Sequence, residues 1–133
     1  MRAIPLLLAA AASSSCATQP PAPTRTAEAQ AEFVKLTAER VPGAPITCLP
    51  SYRAGNMTPI DDSTLVFKDG SRVYVNHLIG ECSLLKSGFY TLVTRSNGMG
   101  LCRGDIADVA DVRTGMTVGS CAIGDWVPYA RRG

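Results

Sequence analysis

The chain has 133 residues, a formal net charge of +2 and 6% aromatic side chains. That length gives one domain; the near-neutral balance gives no electrostatic footprint for nucleic acid, and so few aromatics give no base-stacking platform. The informative count is five cysteines, one near the N-terminus and four downstream.

Residues 1–17 read MRAIPLLLAAAASSSCA. Arg2 precedes an apolar run from Ala3 to Ala12, and small residues follow, which is the layout of a secretory signal peptide. The run is too short for a membrane-spanning helix, which needs about twenty residues. Cys16 stands directly after the small residues, as in bacterial lipoproteins, where the cysteine is lipidated and becomes the first residue of the mature chain. Cleavage before Cys16 is therefore expected. Ser13 departs from the aliphatic residue usual three positions ahead, and ordinary cleavage after Ala17, which discards Cys16, is the competing fate. Residues 18–25 carry Pro20, Pro21 and Pro23 and no large apolar side chain, so an extended, polyproline-like tether is expected. With Ala17 after a lipidated cysteine, the expected location is a bacterial outer membrane, and the expected membrane contact is that lipid. If Cys16 is removed, the expected location is periplasmic or secreted.

Residues 26–42 are the one helix the pattern predicts. Phe33, Leu36, Thr37 and Val41 fall near one stripe, with Val34 beside it. Thr26 is placed to cap the start, Glu28 sits in the positive first turn and Arg40 near the negative end. Val41-Pro42-Gly43 ends it.

From Ile46 the pattern turns to strands. STLVFKDGSRVYVNH, residues 63–77, holds Asp69-Gly70 between β-branched and aromatic runs, a two-residue type I′ hairpin signal. That turn would set Lys68 opposite Ser71, Val66 opposite Val73, Thr64 opposite Val75 and Asp62 opposite His77. A second hairpin is expected at Asn97-Gly98, joining FYTLVTR to MGLC and setting Val93 opposite Cys102. Strands at 106–112 and 122–127 follow, separated by Arg113-Thr114-Gly115-Met116. The expected fold is mainly β, a small antiparallel sheet, sandwich or partly open barrel over residues 46–129, with one N-terminal helix and a basic tail at 130–133.

Cys48, Cys82, Cys102 and Cys121 form an even set in a small exported domain, which reads as two disulfides. Zinc sites bring ligands in close pairs such as C-x-x-C, and none is present; a thioredoxin-like redox centre is disfavoured for the same reason. Three connectivities are open, of which the nested one, Cys82–Cys102 inside Cys48–Cys121, is the leading expectation.

The segments CLPSYRAGNMTPIDDSTLVF, RVYVNHLIGECSLL, GLCRGDIADV and GSCAIGDWVPY resemble a family of short bacterial exported proteins and lipoproteins. The resemblance rests on a first cysteine, an Asp-Asp before a strand, a GECxxL cysteine, an LCxGD segment and a terminal CxI strand. It covers residues 46–129. It implies export and a small disulfide-containing β fold, and it implies no reaction.

The candidates for chemistry are few. His77, the lone histidine, with Asp62 opposite and Asp61 adjacent, would make an acid–base pair, but no G-x-S-x-G elbow or free activated cysteine supplies a nucleophile. One histidine without H-x-H or H-E-x-x-H gives too few nitrogen ligands for a metal. Asp105, Asp108 and Asp111 would alternate faces on a strand, and the D-x-D-x-D-G calcium pattern is absent. Arg103-Gly104-Asp105 is too short to define an adhesion ligand; a turn capped by Asp105, with Gly104 in an unusual backbone conformation, is the expectation. Trp126 and Tyr129 near two arginines could touch glycan or lipid headgroups, against the plainer reading that Trp126 covers the core. No cofactor or metal is expected. The expected role is that of a cell-envelope protein, structural or binding an envelope protein or glycan. The alternative is a small periplasmic enzyme using His77 with Asp62.

Overall fold

Thr26 begins a helix because its hydroxyl can take a backbone donor that the first turn leaves unpaired. In the computed structural model, which describes residues 25–49, 54–96 and 98–132, Thr26 Oγ1 accepts from Ala29 N at 3.1 Å. The signal peptide expected at residues 1–17, with Cys16, and residues 18–24 of the expected tether lie outside the described residues. The helix, α1, spans Ala27–Thr37, shorter than the 26–42 read from the sequence. Glu39 takes a left-handed φ of 59°, and Arg40–Pro42 then forms strand β1. β-Branched Val41 and donor-less Pro42 suit a sheet edge better than a helix end. Arg40 still serves the helix: its guanidinium donates to the carbonyls of Leu36 (3.3 Å) and Ala38 (3.2 Å).

The remaining strands are β2 (Cys48–Leu49), β3 (Met57–Asp61), β4 (Thr64–Asp69), β5 (Arg72–His77), β6 (Tyr90–Thr94), β7 (Leu101–Cys102), β8 (Ile106–Asp111), β9 (Thr117–Ala122) and β10 (Trp126–Arg131). They build three antiparallel sheets, ordered β1-β10-β5-β4-β3, β2-β7 and β6-β8-β9. The fold is thus mainly β with one N-terminal helix and two disulfides. The five-stranded sheet is buried on both faces, which is why Thr64–Phe67 and Val73–Asn76 are continuously buried rather than alternating. On one face Ala29 of α1 packs with Ile60, Val66, Val73 and Val75, flanked by Phe33 and Leu36. On the other, Leu65, Phe67 and Tyr74 meet Val109 of the three-stranded sheet, with Leu49, Leu101, Ile123 and Trp126 in the same core. Trp126 is fully buried and its Nε1 donates to Leu101 O at 3.0 Å, so it belongs to the centre of the core rather than to a surface.

Several long-range expectations change. In the β4–β5 hairpin Asp69 pairs with Arg72, Val66 with Val75 and Thr64 with His77. The turn is therefore Gly70-Ser71, one residue later than Asp69-Gly70. Of its two residues only Gly70 has positive φ (57°), the requirement of a type II′ turn with glycine first, whereas type I′ needs two such residues. Both registers keep the same residues on each face, so the core survives the shift while the Asp62–His77 pairing does not. The second expected hairpin is absent: β6 pairs with β8, setting Val93 opposite Asp108, and β7 pairs with β2. Leu101 and Leu49 are both fully buried, and their burial draws the MGLC segment into the core instead of onto β6. The strand read at 122–127 divides into the end of β9 and the start of β10 around Ile123, Gly124 and Asp125. Ala130 and Arg131, assigned to a tail, extend β10 against Val41 and Arg40.

The nested disulfide pairing is likewise replaced. The bonds are Cys48–Cys102 and Cys82–Cys121, with Cα separations of 3.9 Å and 5.2 Å. Cys48 and Cys102 are register partners across β2 and β7. Ile79 bridges Ala122, which brings the segment carrying Cys82 beside β9 and its Cys121. Strand pairing, invisible in cysteine spacing, decides the connectivity.

Candidate functional site: an acidic cleft beside the helix

The β3–β4 connection is Asp61-Asp62-Ser63, and its geometry follows from local hydrogen bonding. Asp61 Oδ1 accepts from Ser63 N at 2.8 Å, an Asx-type turn. Asp62 O accepts from Cys82 N and Ser63 O from Leu78 N, which brings the 78–86 segment against this turn. Together with the first turns of α1 they enclose a cleft of about 520 Å³ lined by Thr26, Glu28, Glu32, Asp61, Asp62, Ser63, Glu81 and Lys86, with Ala29 and Ile60 at its base. Five of these lining groups are carboxylates and one is an ammonium.

Two cations are committed at its margins. Lys86 Nζ binds Glu32 Oε2 at 2.7 Å and Pro59 O at 3.1 Å. Arg25 Nε binds Asp61 Oδ2 at 2.9 Å, and its terminal nitrogens reach Gln30 Oε1 and the buried Thr64 Oγ1. The Arg25 guanidinium also lies 4.5 Å from the Phe33 ring centroid, a cation–π arrangement. Arg25, read as the last residue of a free tether, is thus clamped to sheet and helix at once. Glu28 and Glu81 have no ion pair among the described residues, so they leave the cleft with uncompensated negative charge. The cleft can offer a cationic ligand several carboxylates. No three His, Cys, Asp or Glu side chains among the described residues are grouped to hold a metal ion.

His77 does not join Asp62. It stands at the end of β5 opposite Thr64, exposed, while Asp62 Oδ1 turns to Lys86 N at 3.4 Å. Desolvation first, and the Arg25 guanidinium second, lower the imidazole pKa below its ordinary value; Asp61 opposes them. The acid–base pair expected of these two side chains is not assembled.

The three aspartates of the 101–112 segment go separate ways. Asp105 Oδ2 accepts from Cys102 N at 2.8 Å, and Gly104 has φ of 89°, the capped turn expected there. Asp108 accepts from Ser120 Oγ, and Asp111 from the backbone N–H groups of Arg113 and Thr114. Arg103 is paired with Asp125 at 2.6 Å, so both charges of Arg-Gly-Asp serve the fold. Arg131 and Arg132 border a separate depression with Glu39 and Arg40, apart from buried Trp126.

Sequence reading found Asp61 and Asp62 but missed Glu28, Glu32, Glu81 and Lys86 as neighbours. Only the packing of α1 and the 78–86 segment brings them together. No protein-family model, curated protein or solved structure matches the chain. Two disulfides point to an oxidising, extracytoplasmic compartment. No helix of the described residues is long and apolar enough to cross a membrane.

Proposed function

We propose that this chain is a bacterial cell-envelope lipoprotein, tethered through Cys16, whose β domain binds an envelope partner and carries out no chemistry of its own. The observation that carries the reading is the pair of disulfides, which fits the export signal read at residues 1–17. The resemblance to short exported bacterial proteins and lipoproteins points the same way. In this reading the Pro-rich segment holds the domain off the outer membrane, and the acidic cleft receives a cationic group of an envelope protein or glycan. The enzyme alternative loses its support because His77 opposes Thr64 rather than Asp62.

The test is fractionation of cells expressing wild type or Cys16→Ser, with labelling by a radioactive fatty acid. Wild type is expected in the membrane fraction carrying label; the variant is expected in the soluble fraction, unlabelled, with both disulfides intact by non-reducing mass analysis. Wild type found soluble and unlabelled would overturn the tether.

A further inference from the structure

A helix that ends in a left-handed residue usually places glycine or asparagine there, because a β-carbon is disfavoured in that conformation. After α1 that residue is Glu39, with φ of 59°. Its side chain is exposed, and its carbonyl accepts from Arg132 N at 3.4 Å. The turn thus holds the end of β10 beside the end of α1. A glutamate kept where glycine is easier points to a use for its carboxylate.

Glu39 lines an open depression of about 650 Å³ with Arg40, Arg131 and Arg132. Three guanidiniums against one carboxylate leave it positive. The sheet enforces the crowding: Arg40 and Arg131 are register partners across β1 and β10, and like charges directly opposite repel. The three arginines differ in what they are free to do. Arg40 is committed to the carbonyls of Leu36, Ala38 and Ser71, so it neutralises the α1 end that would otherwise repel an anion. Arg131 and Arg132 are exposed, and neither side chain has an ion pair or hydrogen bond among the described residues. Glu39 borders the same depression and pairs with none of the three.

We propose that this depression binds a phosphate group, free or carried on a lipid headgroup, through Arg131 and Arg132 with Arg40 behind them. The chemistry favours phosphate over a simple carboxylate. One guanidinium fork satisfies a carboxylate, whereas the oxygens of a phosphate take two or three such forks at once. An anion at this position also relieves the repulsion between Arg40 and Arg131, so the site is arranged before the ligand arrives. Glu39 is an acceptor suited to a hydroxyl beside the phosphate, as a glycerol headgroup carries, and the depression has room for that group. The inference depends on neither the lipid tether nor the acidic cleft.

The test is titration of the full chain in mild detergent with inorganic phosphate, followed by amide NMR shifts, with sodium chloride at matched ionic strength as reference. Saturating shifts are expected at Glu39, Arg40, Arg131 and Arg132 with phosphate and not with chloride. Arg131→Gln and Arg132→Gln are each expected to weaken phosphate about tenfold, with the melting temperature unchanged. Arg113→Gln, which removes an equally exposed cation elsewhere (79% exposed), is expected to leave the affinity as it is. Glu39→Gln removes the opposing charge and is expected to tighten inorganic phosphate about threefold. Vesicles of phosphatidylcholine with and without phosphatidylglycerol separate the two sources. A preference for phosphatidylglycerol that the Arg131→Gln, Arg132→Gln double variant loses assigns the phosphate to a headgroup; a preference both proteins share assigns it to a free phosphate. Shifts that are absent, scattered over the surface or reproduced by chloride would overturn the proposal. So would an affinity that survives both arginine substitutions, falls equally in Arg113→Gln or falls in Glu39→Gln.

Discussion

At Gly124 the connection from β9 to β10 runs so close to β5 that a Cβ would overlap the His77 carbonyl oxygen. Fully buried Asn76 seals the approach. Its Nδ2 donates to Gly124 O at 2.8 Å and to Asp125 O at 3.3 Å, and its Oδ1 accepts from Gly124 N at 2.9 Å. The obstacle to a methyl group is backbone, which cannot swing aside as a flexible side chain would. Gly124→Ala is expected to cost about 3 kcal/mol, the upper end of core overpacking, seen as a lowered urea midpoint at unchanged slope. An unchanged midpoint would refute the close approach. His77, on the same strand, sets a pH dependence. Its folded pKa lies below the 6.5 of the free side chain, through desolvation and then Arg25, partly offset by Asp61. Near that value the unfolded chain binds more protons than the folded one, so stability rises with pH there. The contribution is complete above 6.5 and is lost as pH falls through 6.5 toward the folded value. His77→Gln is expected to flatten that segment of a plot of urea midpoint against pH; an unaltered slope would assign the dependence elsewhere. Asp111, held low by the Arg113 and Thr114 N–H groups, acts in a separate, more acid window below 3.8. Of these residues, the Asp105 turn was legible in sequence because its partner is three residues away. The Asn76–Gly124 clasp was not, since it joins residues 48 apart.

Elements divide in the same way. The α1 start, the strands from 64 to 77 and the turn at Gly115 follow from caps, β-branched runs and glycine, all local signals. The end of α1 and the partner of β6 do not, because both are decided by strands distant in sequence. The disulfides test this distinction energetically. They span 54 and 39 residues, so loop-closure entropy gives about 4 kcal/mol for each and favours the longer by only about 0.3 kcal/mol. Burial separates them more. Cys82 and Cys121 lie in the core at 0% and 7% exposure, whereas Cys48 and Cys102 are half-buried. Removing the core pair therefore loses packing as well as the staple. Cys82→Ala with Cys121→Ala is expected to destabilise more than Cys48→Ala with Cys102→Ala, although it opens the shorter loop. Chemical denaturation of the two double variants checks the order; the reverse order would make loop length the governing term.

For the whole molecule, composition and cysteine number sufficed for a small, stapled, mainly β domain, and the β4–β5 face assignment survived a displaced turn because alternation has a period of two. The acidic cleft was half legible: Asp61-Asp62 stands out in sequence, but Glu28 and Glu81 reach it from segments that only tertiary packing aligns. The interleaving of Cys48–Cys102 with Cys82–Cys121 has a consequence for biogenesis. A chain delivered N-terminus first into an oxidising compartment exposes Cys48 and then Cys82 before either native partner has emerged. An oxidant acting on the earliest available thiols would join those two, a bond the finished fold lacks. Reaching the native pairing from that bond would take exchange of one sulfur partner for another, so a disulfide-reshuffling catalyst added to refolding, reduced chain is expected to raise the yield of correctly paired protein more than added oxidant does.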